Sequence, residues 1–117
     1  KLFHEPNRLA IMSALCAAGA AGMTFNELRD SCDLTDGNLN RHLKALEESE
    51  AVRTEKTFVG VKPRTTLFVT DTGHAGFVEY LDNLERVLKA AADAAKTRKK
   101  GGERLKYNYL AQRPAKA

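Results

Sequence analysis

Tryptophan is absent from the 117 residues, proline occurs three times and cysteine twice. Two cysteines cannot build the disulfide framework of a small secreted domain, so the chain reads as one kept in a reducing compartment. No run of eighteen or more apolar residues is present, which excludes a transmembrane helix. No basic-then-apolar leader opens the chain, so a cytoplasmic location without membrane contact is expected. The first residue is Lys1, and the natural start is expected to lie upstream. Also missing are a Gly-rich phosphate loop, a Gly-x-Ser-x-Gly elbow, a Cys-x-x-Cys pair and any focused pair of acids. The sequence therefore predicts a non-enzyme with no cofactor. His4, His42 and His74 never stand four apart, so no metal site is expected. His42 is instead expected to be a hydrogen-bonded packing histidine.

What is present is an ordinary globular balance, 43% hydrophobic and 29% charged, enough for one domain with an appendage. The net charge of +4 conceals an asymmetry. Residues 96–117 hold eight Lys or Arg against Glu103 alone, whereas residues 1–95 are net −3. A basic tail on an acidic-leaning body suits a polyanionic partner, and a purely solubilising tail reads the same.

Pro6 to Ala18 is predicted to be a first helix, with Pro at its first position and Leu9, Met12, Leu15 and Cys16 on one stripe. Gly19 and Gly22 break it. Thr24 with Glu27 three residues on forms a capping box for a second helix that buries Phe25, Leu28 and Cys32. After the brief Asp33-Leu34-Thr35 connection, a third helix runs from about Asp36 to Ser49. It has Leu39, Leu43 and Leu46 inside and Gly37, Arg41, Lys44 and Glu48 outside, with Asn40 beside them. Two helices joined this closely form a helix-turn-helix unit, whose second helix can enter a major groove. From Val52 the period becomes two. Residues 60–64 carry turn chemistry with Lys62 and Arg64 at the tip, and Thr65 to Thr70 returns as a strand. Thr72 is expected to cap a fourth helix that reaches Lys96–Lys100. On it Phe77, Leu81, Leu84, Leu88, Ala91 and Ala95 follow a coiled-coil-like spacing. A second copy is the simplest cover for that seam, and folding back on the chain's own head is the competing reading.

This order of helices and hairpin, mainly α with a small β-hairpin wing, is that of a winged helix-turn-helix domain. The segment Leu34-Thr35-Asp36-Gly37-Asn38-Leu39-Asn40-Arg41-His42-Leu43-Lys44-Ala45-Leu46-Glu47 resembles the recognition helix of bacterial and archaeal regulators near the MarR and ArsR families. Gly60-Val61-Lys62-Pro63-Arg64-Thr65 and Thr70-Asp71-Thr72-Gly73 resemble the wing and helix start of the compact winged-helix regulators, and His4 to Ile11 resembles their first helix. The likeness covers about residues 3–90. It implies a homodimeric, sequence-specific DNA-binding transcriptional regulator, with double-stranded DNA as partner and a small-molecule effector of unknown identity as an optional one. On that pattern Asn38, Asn40, Arg41 and Lys44 face the major groove, and Lys62 and Arg64 meet the backbone or minor groove; Thr35 and Gly37 are expected to join them, Gly37 by removing bulk where another surface comes close. The chemistry agrees, since Asn pairs bidentately with adenine and Arg with guanine, while Lys and Thr serve phosphates.

The expected division is residues 1–71 for DNA binding, 72–100 for a dimerisation helix and 101–117 for the basic tail. In that tail Tyr107 and Tyr109 are expected to stack on bases or to dock Leu105 and Leu110 on a partner. A groove between the dimer helices and the heads is the expected seat of an effector. Two departures stand out: Glu47, Glu48 and Glu50 make the end of the third helix acidic, and Glu50 occupies a place where glycine usually closes it. Cys16 and Cys32 are expected to be buried, with a redox pair as the lesser alternative. The alternative function is a winged-helix protein-interaction module without sequence-specific DNA reading.

Overall fold

The computed structural model describes residues 1–100 of the chain, with side chains through Arg98. The expectations for Leu105, Tyr107, Tyr109, Leu110 and the 101–117 tail lie outside the described residues. Helix α1 spans Pro6–Ala18, strand β1 Met23–Thr24, helix α2 Phe25–Ser31, helix α3 Asp36–Glu48, strand β2 Val52–Val59, strand β3 Lys62–Val69 and helix α4 Asp71–Lys100.

Local chemistry sets most of these boundaries. The Glu5 carboxylate accepts the Arg8 amide at 2.8 Å and so caps α1 ahead of Pro6. Gly19 ends the helix with φ 62°. The expected capping box is present: the Glu27 amide donates to Thr24 Oγ1 at 3.1 Å, and the Thr24 amide donates to Glu27 Oε1 at 2.9 Å. Thr35, the last residue of the expected connection, is the N-cap of α3 and accepts the Asn38 amide at 3.1 Å.

Ile11, Met12 and Leu15 of α1, Leu28 of α2 and Leu39, Leu43 and Leu46 of α3 meet Val52 and Leu67 of the sheet in one core. Each such aliphatic side chain removed from water contributes about 1.5–3 kcal/mol before chain entropy is counted. The sheet is antiparallel in the order β1-β3-β2. β1, only two residues long, was not foreseen.

Three expectations are corrected. The hairpin loop is Gly60-Val61 alone, and Lys62, Pro63 and Arg64 already belong to β3, paired with Val59, Phe58 and Thr57. Proline is tolerated there because β1 reaches only Thr66 and Leu67, leaving β3 open on that side at Pro63. The cap of α4 is Thr70 and not Thr72, since the Gly73 amide donates to Thr70 Oγ1 at 2.8 Å and the His74 amide to Thr70 O at 2.8 Å. Phe77, expected on the α4 seam, is 2% exposed. It packs edge-on to Phe3 with ring centroids 5.3 Å apart, beside Tyr80, in the core of its own chain. An aromatic held this way has no face left for a second copy.

The described chain groups into two compact units, one ending at Tyr80 and one beginning at Leu81. The second, as far as it is described, is the continuation of α4. Its Leu81 and Leu88 are exposed, Leu84 is half-buried, and Ala91 and Ala95 are exposed.

Candidate nucleic-acid interface

The α2–α3 corner turns on Asp33, which has φ 56°, and on the Leu34 amide donating to Arg29 O at 3.0 Å. The Arg29 guanidinium fastens the corner, donating to Asp30 at 3.0 Å and to Asp36 at 2.9 Å. The first turn of α3 is thus clamped before its outer residues begin. Thr35, Gly37, Asn38, Asn40, Arg41 and Lys44 are all exposed. A Cβ added at Gly37 would meet nothing within 4 Å, so glycine leaves this edge bare with no internal crowding to require it. Arg41 donates to Asn38 Oδ1 at 3.0 Å, one turn away. Both side chains can exchange that bond for a base edge, Arg as donor and Asn as donor and acceptor.

The inner face of α3 holds His42, 4% exposed. Arg8 Nη1 lies 3.5 Å from its Nδ1; guanidinium can only donate, so Nδ1 accepts and the neutral ring carries its proton on Nε2. Nε2 has no hydrogen-bond partner, and Glu5 Oε1 is 3.9 Å away. The expected packing histidine is therefore bonded at one nitrogen only. Burial pushes its pKa below the usual value, against the pull of the Glu5 carboxylate. The ring stays neutral and adds no charge beside Arg41.

At the other end of α3 the acidic residues Glu47, Glu48 and Glu50 are exposed, and Glu47 accepts a hydrogen bond from Thr54 of β2. Glu50, at the place where glycine usually closes the helix, takes the left-handed conformation, φ 61°. A non-glycine residue there carries about 1–2 kcal/mol of strain. The turn is held by the Ala51 amide donating to Leu46 O at 2.9 Å and by Thr70 Oγ1 donating to Glu50 O at 2.6 Å. Gly73 lies against it so closely that a Cβ would stand 2.0 Å from Ala51 O.

Lys62 and Arg64 are exposed on β3. The register puts them with Thr57 and Val59 on one face, and Thr54, Lys56, Phe58, Pro63, Thr65 and Leu67 on the other. That second face borders a groove of about 410 Å³ shared with Asn40, Leu43 and Glu47 of α3 and Phe25 of α2. Lys56 therefore lines the same groove as Asn40. It was not singled out from the sequence, although its place in the period-two alternation was the signal. Arg53 is occupied otherwise, 4.2 Å over the Phe68 ring and paired with Glu55. Cys16 and Cys32 are half-buried, and burial raises both thiol pKa values, opposite to what a reactive thiolate requires. Among the described residues no group of three or more His, Cys, Asp or Glu could hold a metal ion. No helix there is long and apolar enough to cross a membrane.

Residues 7–88 match the family model described as a winged helix DNA-binding domain. An uncharacterized protein of Methanocaldococcus jannaschii is 34% identical over 89 residues, covering 76% of this chain and 95% of its own. A transcriptional regulator homologue from Pyrococcus horikoshii is 31% identical with a TM-score of 0.70, over 77% of this chain and 87% of the other. A PadR family transcriptional regulator from Eggerthella lenta shares the fold, with a TM-score of 0.62 at 20% identity over 76% of this chain and 84% of that one. With the helix-turn-helix corner, the hairpin and these likenesses in agreement, the chain belongs to the winged-helix DNA-binding domain family, a family of transcriptional regulators and not of enzymes.

Proposed function

We propose that the protein is a cytoplasmic, homodimeric regulator that reads a DNA sequence with the amino-terminal half of α3. Asn38, Asn40 and Arg41 contact base edges. Thr35 and Lys44 contact phosphates, and Gly37 lets the backbone come close. Lys62 and Arg64 hold the flanking backbone or minor groove, with Lys56 added to the set from its place in the groove. Leu81, Leu84, Leu88, Ala91 and Ala95 form the seam between two copies, leaving Phe77 out of it. A twofold pair then addresses half-sites about one turn, roughly 34 Å, apart. A small-molecule effector is an optional further partner.

The observation that carries this reading is the bare, uniformly exposed edge from Thr35 to Lys44 with no acidic side chain beyond Asp36, itself neutralised by Arg29. Titration of a labelled duplex over a salt series tests it. Neutralised phosphates release counterions, so affinity falls log-linearly with salt, and a preferred duplex outcompetes random DNA. Absent binding, or binding that ignores salt, overturns the reading in favour of a protein-interaction module, and salt-sensitive binding that ignores sequence overturns the sequence-reading part of it. A genomic pull-down supplies the preferred site.

A further inference from the structure

The wing ends in apolar side chains that its own fold does not use. Phe58 is 73% exposed, Val59 52% and Val61 93%. Gly60, with φ 66°, supplies the positive φ that a two-residue type II′ loop needs at its first position. The loop demands nothing of its second position that favours valine, and polar residues are the usual occupants of turns. Pro63 stands opposite Phe58, on the sheet face that also carries Lys56. Lys62 and Arg64 lie on the opposite face. From residue 56 to residue 70 these three cations occur with no acid at all. The tip is thus an apolar point flanked by positive charge on both faces.

That combination fits a partner with close-set negative charge outside and apolar surface within reach. Duplex DNA offers both in its minor groove, where proteins insert Phe, Leu, Ile, Met or Pro between base steps. An ordinary protein surface would leave three cations without counter-charge. We propose that the wing tip is a wedge: Phe58 and Val61 enter the minor groove and part a base step, while Lys56, Lys62 and Arg64 take the phosphates on either side. The inference rests on the DNA-binding reading and deepens it. The protein would bend its site and favour easily unstacked pyrimidine–purine steps, such as TA or CA/TG, under the wing.

The test uses the full chain and a duplex that it enriches from a randomised pool, labelled at both ends for energy transfer. Wild type is expected to bend the duplex by about 20–90°. The double variant Phe58→Ala, Val61→Ala is expected to bind about five- to tenfold more weakly and to leave the duplex straight. Phe58→Leu, which keeps a wedge, retains the bend. Both positions are exposed, and an unchanged circular dichroism melt confirms folding. A duplex bound by wild type but straight, or bent equally by the double variant, overturns the wedge while leaving DNA binding intact. Failure to enrich any duplex overturns both readings. A wing-dependent association with phosphatidylserine vesicles alongside straight DNA also overturns the wedge, in favour of a membrane surface.

Discussion

Leu39, Leu43 and Leu46 of α3 are at most 5% exposed, whereas Leu81 and Leu88 of α4 stand at 39% and 60%. The spacing of leucines is alike in both stretches, three or four residues apart. In α3 the stripe meets α1, α2 and the sheet, and the helix turns its other face to solvent. In the unit that begins at Leu81 a single chain leaves Leu81 and Leu88 exposed and Leu84 only half-buried. Periodicity states that a helix face needs cover; it does not state whose atoms supply it.

Leu46→Ala leaves a cavity among fully buried neighbours and should cost about 2–5 kcal/mol in urea unfolding. Leu88→Ala should cost far less on that scale, and equal losses would erase the distinction. On the outer face of α3, Arg41→Ala should weaken the preferred duplex by about 1–3 kcal/mol and relax discrimination, read by competition binding. Lys62→Ala should weaken all duplexes alike and lower the salt slope by about one. For the open stripe, Leu84→Ala should shift self-association by roughly 1–2 kcal/mol, the scale of a partly re-exposed leucine. An unchanged sedimentation profile would remove the seam.

A finer probe is pH. His42 has a folded-state pKa below its usual 6.5, because burial disfavours the charged ring. The unfolded chain therefore binds the extra proton first as pH falls below 6.5. The stability held by the neutral ring is complete above that value and drains away toward the lower folded pKa. His42→Leu should flatten the urea midpoint across this range, and a slope as steep as wild type would show that another group is responsible. The smallest effect concerns the turn after α3: Glu50→Gly should stabilise by roughly 1 kcal/mol in the same assay, by relieving the left-handed backbone.

Much of this architecture was legible in the chain. The limits of α1 follow from Pro6 and Gly19, and the capping box at Thr24 and Glu27 is a purely local arrangement. What escaped was decided by distant partners. Thr70 rather than Thr72 caps α4 while its hydroxyl also donates to Glu50 O, twenty residues away. Phe77 continues the seam spacing faithfully, yet Phe3 claims it from the far end of the chain. β1, at two residues, is too short to show any period, and its early end is why Pro63 can sit in a strand. In the candidate interface, the exposure of Asn38, Asn40, Arg41 and Lys44 follows from helical spacing alone. The period-two alternation put Lys56 on one side of β2, and the pairing of β2 with β3 shows that this side borders α3.

Gly73 rests backbone against backbone on Ala51, in a space that admits hydrogen and nothing larger. The seat of α4 against the turn that follows α3 is therefore set by main-chain atoms. Any side chain at position 73 would have to push α4 and that turn apart. A saturation library at that position should return glycine alone, even where the neighbouring surface accepts almost any substitution.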